Sequence, residues 1–227
     1  MDYKKLIETN KDLFINKLSP YTIIFREEDN NWRQKQKSLL PDQSNSIGYG
    51  DIGVVYDDAY IVLIRDLVEF PGGKRGGYIR LYNRAFLEGG AAGVVIMPVK
   101  DGKILLMHNF RHATRSWHWE IPRGFGEPGV AAKLQAKAEV FEEIGVRIDE
   151  DDLFNLGNYY SNTGLDGSPI QLFLAKFITE PIIHKEIGVD SIKLFSQQEL
   201  EKMIKDDLIT DGFTIAAYTR AKLKGLI

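Results

Sequence analysis

The apolar positions of this chain change period several times, and each change marks an element. The run DIGVVYDDAYIVLIRDLVEF is rich in β-branched and aromatic residues on either side of Asp57-Asp58, which predicts two strands around a turn. PGGKRGG (Pro71–Gly77) is turn chemistry, and YIRLYNRAF (Tyr78–Phe86) resumes as a strand. AAGVVIMPVKDGKILLMHNFRH holds two apolar strands joined through Lys100-Asp101-Gly102, a hairpin signal. WHWEIP reads as a short strand leading into a loop and then a helix within RGFGEPGVAAKLQAKAEVFEEIGV (Arg123–Val146). Further strands are expected at LFNLGNYYS, IQLFLAKFI and DSIKLFS, with the loop NTGLDGSP between the first two. Helical spacing returns in Gln197–Asp206 and Phe213–Leu223. At the start, residues 2–17 predict one short amphipathic helix with Leu6, Phe14 and Ile15 among its apolar positions. FREEDNNWRQKQKSLLPDQSNS (Phe25–Ser46) is too polar and turn-rich for either period and reads as an irregular connection.

Strands and helices that do not alternate strictly imply an α+β fold with a mixed sheet. Three segments are expected: an N-terminal helix and irregular extension over 1–45, a β-rich subdomain over 46–90, and a main domain over 91–227. No internal repeat or low-complexity tract interrupts them.

Composition narrows the class. With 227 residues, 44% hydrophobic and 27% charged, the chain is long enough for one large domain or a core domain with an added segment. A net charge of −3 gives bulk electrostatics that favour neither nucleic acid nor an anionic membrane. There is no cysteine, which excludes disulfides and thiolate metal sites and points to a reducing cytoplasm. The opening MDYKKLIETNKDLF lacks the unbroken apolar core of a signal peptide, and no stretch is apolar enough to cross a bilayer. A cytoplasmic location is therefore expected.

The chemistry concentrates in the helix after Ala131. Placed on a helical wheel, Leu134, Ala138 and Phe141 form one apolar stripe, expected to face the core, while Glu139, Glu142 and Glu143 lie away from it. Glu139 and Glu143 are four apart and repel, weakening an isolated helix by about 0.2–0.5 kcal/mol. All three sit near the C-terminal end, where the helix dipole disfavours anions by about 0.3–1 kcal/mol each. Gly145 is placed to end the helix. A locally unfavourable arrangement of this kind is expected at a functional site. A hard divalent cation shared by carboxylates i and i+4 would turn repulsion into attraction. The alternative is a solvated acidic face.

The pattern resembles the Nudix box, G-x5-E-x7-R-E-U-x-E-E-x-G-U with U a large apolar residue. Gly124, Glu139, Val140, Glu142, Glu143, Gly145 and Val146 match in register, and Glu127-Pro128-Gly129 is similar to the family's loop. Val130 stands where the motif has glutamate and Ala138 where it has arginine. In the family these two form an ion pair. Replacing both partners by packed apolar groups is often neutral, so the double change is expected to be structural. FRHATRSWHWEIPRG (Phe110–Gly124) resembles the segment before the box in ADP-ribose pyrophosphatases; LVEFPGGKRGGYIRLYNR and GFTIAAYTRAKLKGL resemble that branch's N-terminal strand pair and C-terminal helix.

The resemblance implies a Nudix fold, a mixed sheet between helices with an N-terminal β-rich extension, in a homodimer whose N-terminal strands are exchanged. It implies hydrolysis of a nucleoside diphosphate sugar, ADP-ribose to AMP and ribose 5-phosphate above all, with Mg²⁺, or Mn²⁺ in its place. Glu139 and Glu143 would bind metal, Glu142 would bridge or assist, and the Arg123 carbonyl would add an oxygen ligand. Arg111, Glu120 and Arg80 are the candidate substrate contacts; surface ion pairing is the alternative for Arg111, and ordinary exposed strand charge the alternative for Arg80. In SNTGLDGSP the branch's Ser-Pro-Gly and following glutamate are missing, Gly167 falls near the glutamate position, and Asp166 is the only acid in the loop, so that either Asp166 or a box glutamate would act as base, or turnover would be slow. A protein of this fold that holds a nucleotide without cleaving it is the rival reading. His108 and His112 lack a third ligand at metal spacing and are expected to be structural or substrate-facing, and Trp117 and Trp119 to pack against the protein.

Overall fold

A computed structural model describes residues 2–16, 19–25, 52–182 and 188–227. Most of the irregular connection expected over Phe25–Ser46 lies outside these residues. The chain divides into two compact units, one of residues up to Leu87 together with Asn162–Gly167, the other of Glu88–Ser161 and Ser168–Ile227.

The first unit holds α1 (Tyr3–Thr9), a 3₁₀ turn (Lys11–Phe14), β1 (Thr22–Ile24), β2 (Gly53–Asp57), β3 (Ile61–Glu69), β4 (Arg75–Asn83) and the short helix α2 (Arg84–Leu87). β1, β2 and β4 all pair antiparallel with β3. Tyr3, Leu6, Phe14, Val62, Ile64, Tyr82 and Leu87 make its main core. The helix expected over 2–17 is broken. The Thr9 hydroxyl bonds back to the Lys5 carbonyl and the Asn10 amide to the Leu6 carbonyl. The Asn10 N–H closes the last turn on the Leu6 carbonyl, these side chains fold back on the same turn, and Phe14 then turns inward. The strand expected through Phe86 stops at Asn83, whose side-chain oxygen accepts the Ala85 N–H at 2.9 Å and so caps α2.

The second unit runs β5 (Gly93–Lys100), β6 (Lys103–Arg111), β7 (Ser116–Glu120), β8 (Arg123–Phe125), α3 (Ala132–Ile144), β9 (Leu153–Tyr159), β10 (Ile170–Lys176), β11 (Val189–Phe195), α4 (Gln197–Lys205) and α5 (Gly212–Leu223), with a 3₁₀ turn at Glu150–Asp152. The sheet order is β11-β6-β5-β10-β9, with β10 parallel to β5 and β9 antiparallel to β10. The β5–β6 hairpin turns at Asp101-Gly102 as expected, but the two strands stay paired only at Val99–Lys100 and Lys103–Ile104. They then diverge, β7 pairing with β6 and β8 with β5. The Pro122 carbonyl accepts the Ile96 N–H at 2.9 Å where the chain passes from β7 to β8.

Side chains alternate across the strands. Val94, Ile96, Leu105 and Met107 pack with Ala136, Val140 and Ile144 of α3. Val95, Met97, Leu106 and Ile121 pack with Leu200 of α4 and Ala217 and Tyr218 of α5. The sheet is mixed and lies between helices, as expected. Ser196 and Glu199 form a reciprocal capping box at α4, and Asp211 caps α5 by accepting from Thr214 N at 2.9 Å.

Candidate active site

α3 buries Ala132, Gln135, Ala136, Val140 and Ile144. Four-residue steps put Ala132, Ala136, Val140 and Ile144 on one line facing β5 and β8, with Gln135 at its side. The expected apolar stripe therefore lies on the wrong side: Ala138 is exposed, as are Leu134 at 64% and Phe141 at 40%. Leu134 and Phe141 dominate a hydropathy pattern because they are large, yet the line against the sheet is made by Ala132, Ala136, Val140 and Ile144, two of them too small to weigh in such a pattern. Phe141 instead carries the Arg147 guanidinium 4.5 Å from its ring centroid. The expected burial of both box replacements fails with it, since Val130 is half-buried and Ala138 faces out.

This rotation decides where the glutamates go. Glu139 and Glu143 follow Gln135 by four and eight positions, so they lie at the margin of the inward face, half-buried, while Glu142 is exposed. Both are met by β8. The Arg123 N–H donates to Glu143 Oε2 at 3.1 Å. The Glu139 carboxylate lies directly against Gly124, where any Cβ would fall inside its van der Waals envelope. Gln135 Nε2 donates to Glu139 Oε1 at 2.9 Å. β8 was expected as loop; two glycines flanking Phe125 hide it, and its pairing with Gly93–Val95 makes it a strand. The Val130 N–H returns to the Glu127 carbonyl at 3.1 Å, closing the Glu127-Pro128-Gly129 turn ahead of α3, and Gly145 ends the helix at φ 68°.

Among the described residues no three Asp, Glu, His or Cys side chains converge in a metal-holding array. Two carboxylates on successive turns, beside strand backbone and a glycine that leaves room for one of them, still form a hard-oxygen donor set. That set suits a divalent cation that takes its remaining ligands from water or phosphate.

Beside these donors lies a charged cluster. Glu120, at the end of β7, is 0% exposed. Its Oε2 accepts from Arg123 Nη2 at 2.8 Å. Its Oε1 lies 2.6 Å from Arg111 Nη2, off the line of a hydrogen bond. Arg123 Nη1 also reaches Asp211 Oδ1 at 2.8 Å, while Asp211 Oδ2 caps α5. Two guanidinium groups and two carboxylates thus alternate, and the buried negative charge of Glu120 is held between cations. Arg111 and Arg123 line a pocket of ≈ 440 Å³ whose other walls include Gly124, Phe125, Ile170 and Phe213. Phe213 packs under the Arg123 guanidinium at 5.1 Å. The roles of Asp211, Gln135 and Phe213 were not read from sequence. Asp211 carried a signal, the N-cap pattern of an aspartate three residues before Thr214; Gln135 and Phe213 carried none.

The structure places the remaining candidates in the first unit. Arg80 is not exposed strand charge: its Nε donates to the buried Asp66 at 2.6 Å and its Nη1 to the Leu13 carbonyl at 2.8 Å. Tyr3 Oη donates to the same Asp66 at 2.5 Å. Asp166 lies in a loop that pairs with β4, its neighbours Leu165 and Gly167 both bonding the Leu81 backbone at 2.9 Å. Gly167 sits against the buried Tyr82 ring, which leaves no room for a side chain at the position where a glutamate was sought. In the second unit His108 bonds Asp190 at 2.9 Å and stacks against Trp117 and Trp119, while His112 bonds Arg115. Trp119 packs at the edge of the α5-side core and Trp117 is 46% exposed.

Comparison with known proteins agrees with this architecture. The model of the NUDIX domain matches residues 88–212. An ADP-ribose pyrophosphatase of Bacillus subtilis (strain 168) is 24% identical over 173 residues, covering 75% of this chain and 89% of that protein. A CMP-5'-(N-acetyl-N-hydroxy-3-aminopropyl)phosphonate hydrolase of Streptomyces rubellomurinus (strain ATCC 31215) is 26% identical over 122 residues, 54% of this chain and 55% of that protein, so the match spans about half the relative's length. A crystal structure of an ADP compounds hydrolase superposes with a TM-score of 0.64 at 19% identity, covering 78% of this chain and 93% of that one, and so shares the fold. No helix among the described residues is long and apolar enough to cross a membrane. With the domain matched over more than half its length, the chain belongs to the NUDIX family, in the general class of pyrophosphohydrolases that act on small molecules and generally use divalent metal ions.

Proposed function

We propose that this chain hydrolyses the diphosphate bond of a nucleoside diphosphate sugar, ADP-ribose first among them, with Mg²⁺ as its ion and Mn²⁺ as a substitute. The observation that carries this reading is the pair Glu139 and Glu143, turned inward against β8 and held there by Gly124, Gln135 and the Arg123 N–H. Glu139, Glu143 and the Arg123 backbone would hold the cation, with Glu142 assisting from the exposed flank. The bound ion supplies charge neutralisation at the diphosphate and lowers the pKa of water. Arg111 offers a fork of donors to phosphate oxygens, and Glu120 fixes the direction of that fork from below. Phe125, Phe213 and Ile170 give the adjoining pocket apolar walls against which a ring can pack. Asp166 is the acid proposed as base. The names of the two curated relatives, one an ADP-ribose pyrophosphatase and one a hydrolase of a CMP-linked phosphonate, support a nucleotide-linked substrate.

The test is a substrate panel of ADP-ribose, NADH, GDP-mannose, UDP-glucose and diadenosine polyphosphates with Mg²⁺, read as phosphate released after coupling to phosphatase. ADP-ribose is expected to turn over and Glu143→Gln to abolish the signal. Binding of one panel member without turnover establishes the rival reading, a nucleotide-binding protein on this fold.

A further inference from the structure

Gln135 is the one polar side chain in the buried face of α3, where its neighbours are Ala132, Ala136, Val140 and Ile144. It is 6% exposed. A buried amide on a helix face that packs against a sheet is unfavourable unless its groups find partners. Its Nε2 donates to Glu139 Oε1 at 2.9 Å, one helical turn onward. An ionised carboxylate can only accept, so the amide must present its NH₂ and not its carbonyl. Gly124 closes the opposite side of the same carboxylate with a surface that bears no side chain. Glu139 is thereby confined between an amide donor and bare backbone, and one of its oxygens is committed to Gln135.

From this, and resting on the reading of Glu139 as a metal-holding residue, we propose that Gln135 is a positioning residue for the cation site. It fixes the Glu139 rotamer from inside the core, so that the carboxylate is set before an ion arrives. Rotamer freedom lost in advance is not lost again on binding, and this raises ion affinity without any contact between Gln135 and the ion.

Gln135→Met, close in shape and without the donor, tests this with Mn²⁺ as the probe. Mn²⁺ binding to the substrate-free protein is measured by electron paramagnetic resonance alongside thermal melting, with Glu139→Gln as reference. The expected result is a Mn²⁺ affinity lowered on the order of tenfold in Gln135→Met, with a melting midpoint equal to or above wild type. Unchanged Mn²⁺ affinity in Gln135→Met, with affinity lost in Glu139→Gln, overturns the positioning role alone. Unchanged affinity in both variants overturns the metal-holding reading and the positioning role with it. Where Gln135→Met does not fold, a crystal structure of the wild-type protein with Mn²⁺ decides. The Gln135–Glu139 hydrogen bond is expected to persist, and its loss on binding the ion overturns the proposal.

Discussion

Glu120→Gln removes one buried charge and keeps the shape. In the native protein the Glu120 oxygens face Arg111 at 2.6 Å and Arg123 at 2.8 Å from a position with no solvent access. After the substitution Arg123 keeps Asp211 at 2.8 Å, but Arg111 has no other carboxylate partner among the described residues. The new amide must also turn its NH₂ toward one guanidinium, donor against donor. Removing one partner of a buried pair destabilises by about 3–5 kcal/mol. The Arg111 and Arg123 side chains are 34% and 21% exposed, so water partly solvates the stranded charge. The lower end, about 3 kcal/mol, is therefore expected. For a chain of 227 residues, at about 2–4 °C per kcal/mol, the melting midpoint falls by about 6–12 °C. Circular dichroism melts and urea titrations of both proteins measure this. A midpoint within about 2 °C of wild type, with an unchanged urea slope, would show that Glu120 carries no buried ion pair and refute the reasoning.

Three further outcomes follow from the same geometry. Gly124→Ala places a methyl group on the Glu139 carboxylate, which can swing away, so folding stability drops by no more than about 1–3 kcal/mol while turnover of the best substrate drops about a hundredfold; melts and initial rates measure the two effects separately. Burial, reinforced by the Asp66 carboxylate, pushes the Tyr3 phenol far above its ordinary range. A group raised in the folded state stabilises fully below its unfolded pKa, about 10, and that contribution is lost as pH rises, by about 1.4 kcal/mol per pH unit. Urea unfolding of wild type and Tyr3→Phe between about pH 9 and 11 should therefore show the shallower alkaline decline in the variant. If Asp166 is the base, Asp166→Asn lowers turnover by about 10²–10⁴-fold with a native melting curve, and an unchanged rate places the base elsewhere.

The strands of the second unit other than β8, the hairpin at Asp101-Gly102 and the two C-terminal helices were legible because each depends on local patterns of period or turn chemistry. The glutamates were legible as a motif, but their direction was not. Hydropathy put Leu134 and Phe141 inward, whereas the packed structure turns Ala132, Ala136, Val140 and Ile144 inward, and which face of α3 meets β5 is a tertiary property. β8 was hidden for a related reason: its strand character comes from the backbone of Gly93–Val95 and not from its own residues. Arg80 was visible as a charge on a strand, but its burial depends on Asp66 and on the Leu13 carbonyl 67 positions earlier in the chain. The cluster around Glu120 likewise joins Arg111, Arg123 and Asp211, which no short window of sequence contains together.

The six residues Asn162–Gly167 belong to the first unit although the chain on either side of them belongs to the second. Through Leu165 and Gly167 they close the outer edge of β4 at Leu81, and Tyr78 Oη donates to the Gly164 carbonyl at 3.1 Å. The N-terminal unit therefore cannot be excised by a single cut. A fragment ending at Leu87 would keep β4 but lose the segment that pairs with the Leu81 N–H and C=O, opening the strand edge there in the way that recruits other chains. Such a fragment should self-associate, and supplying the missing hexapeptide in trans should compete with that association.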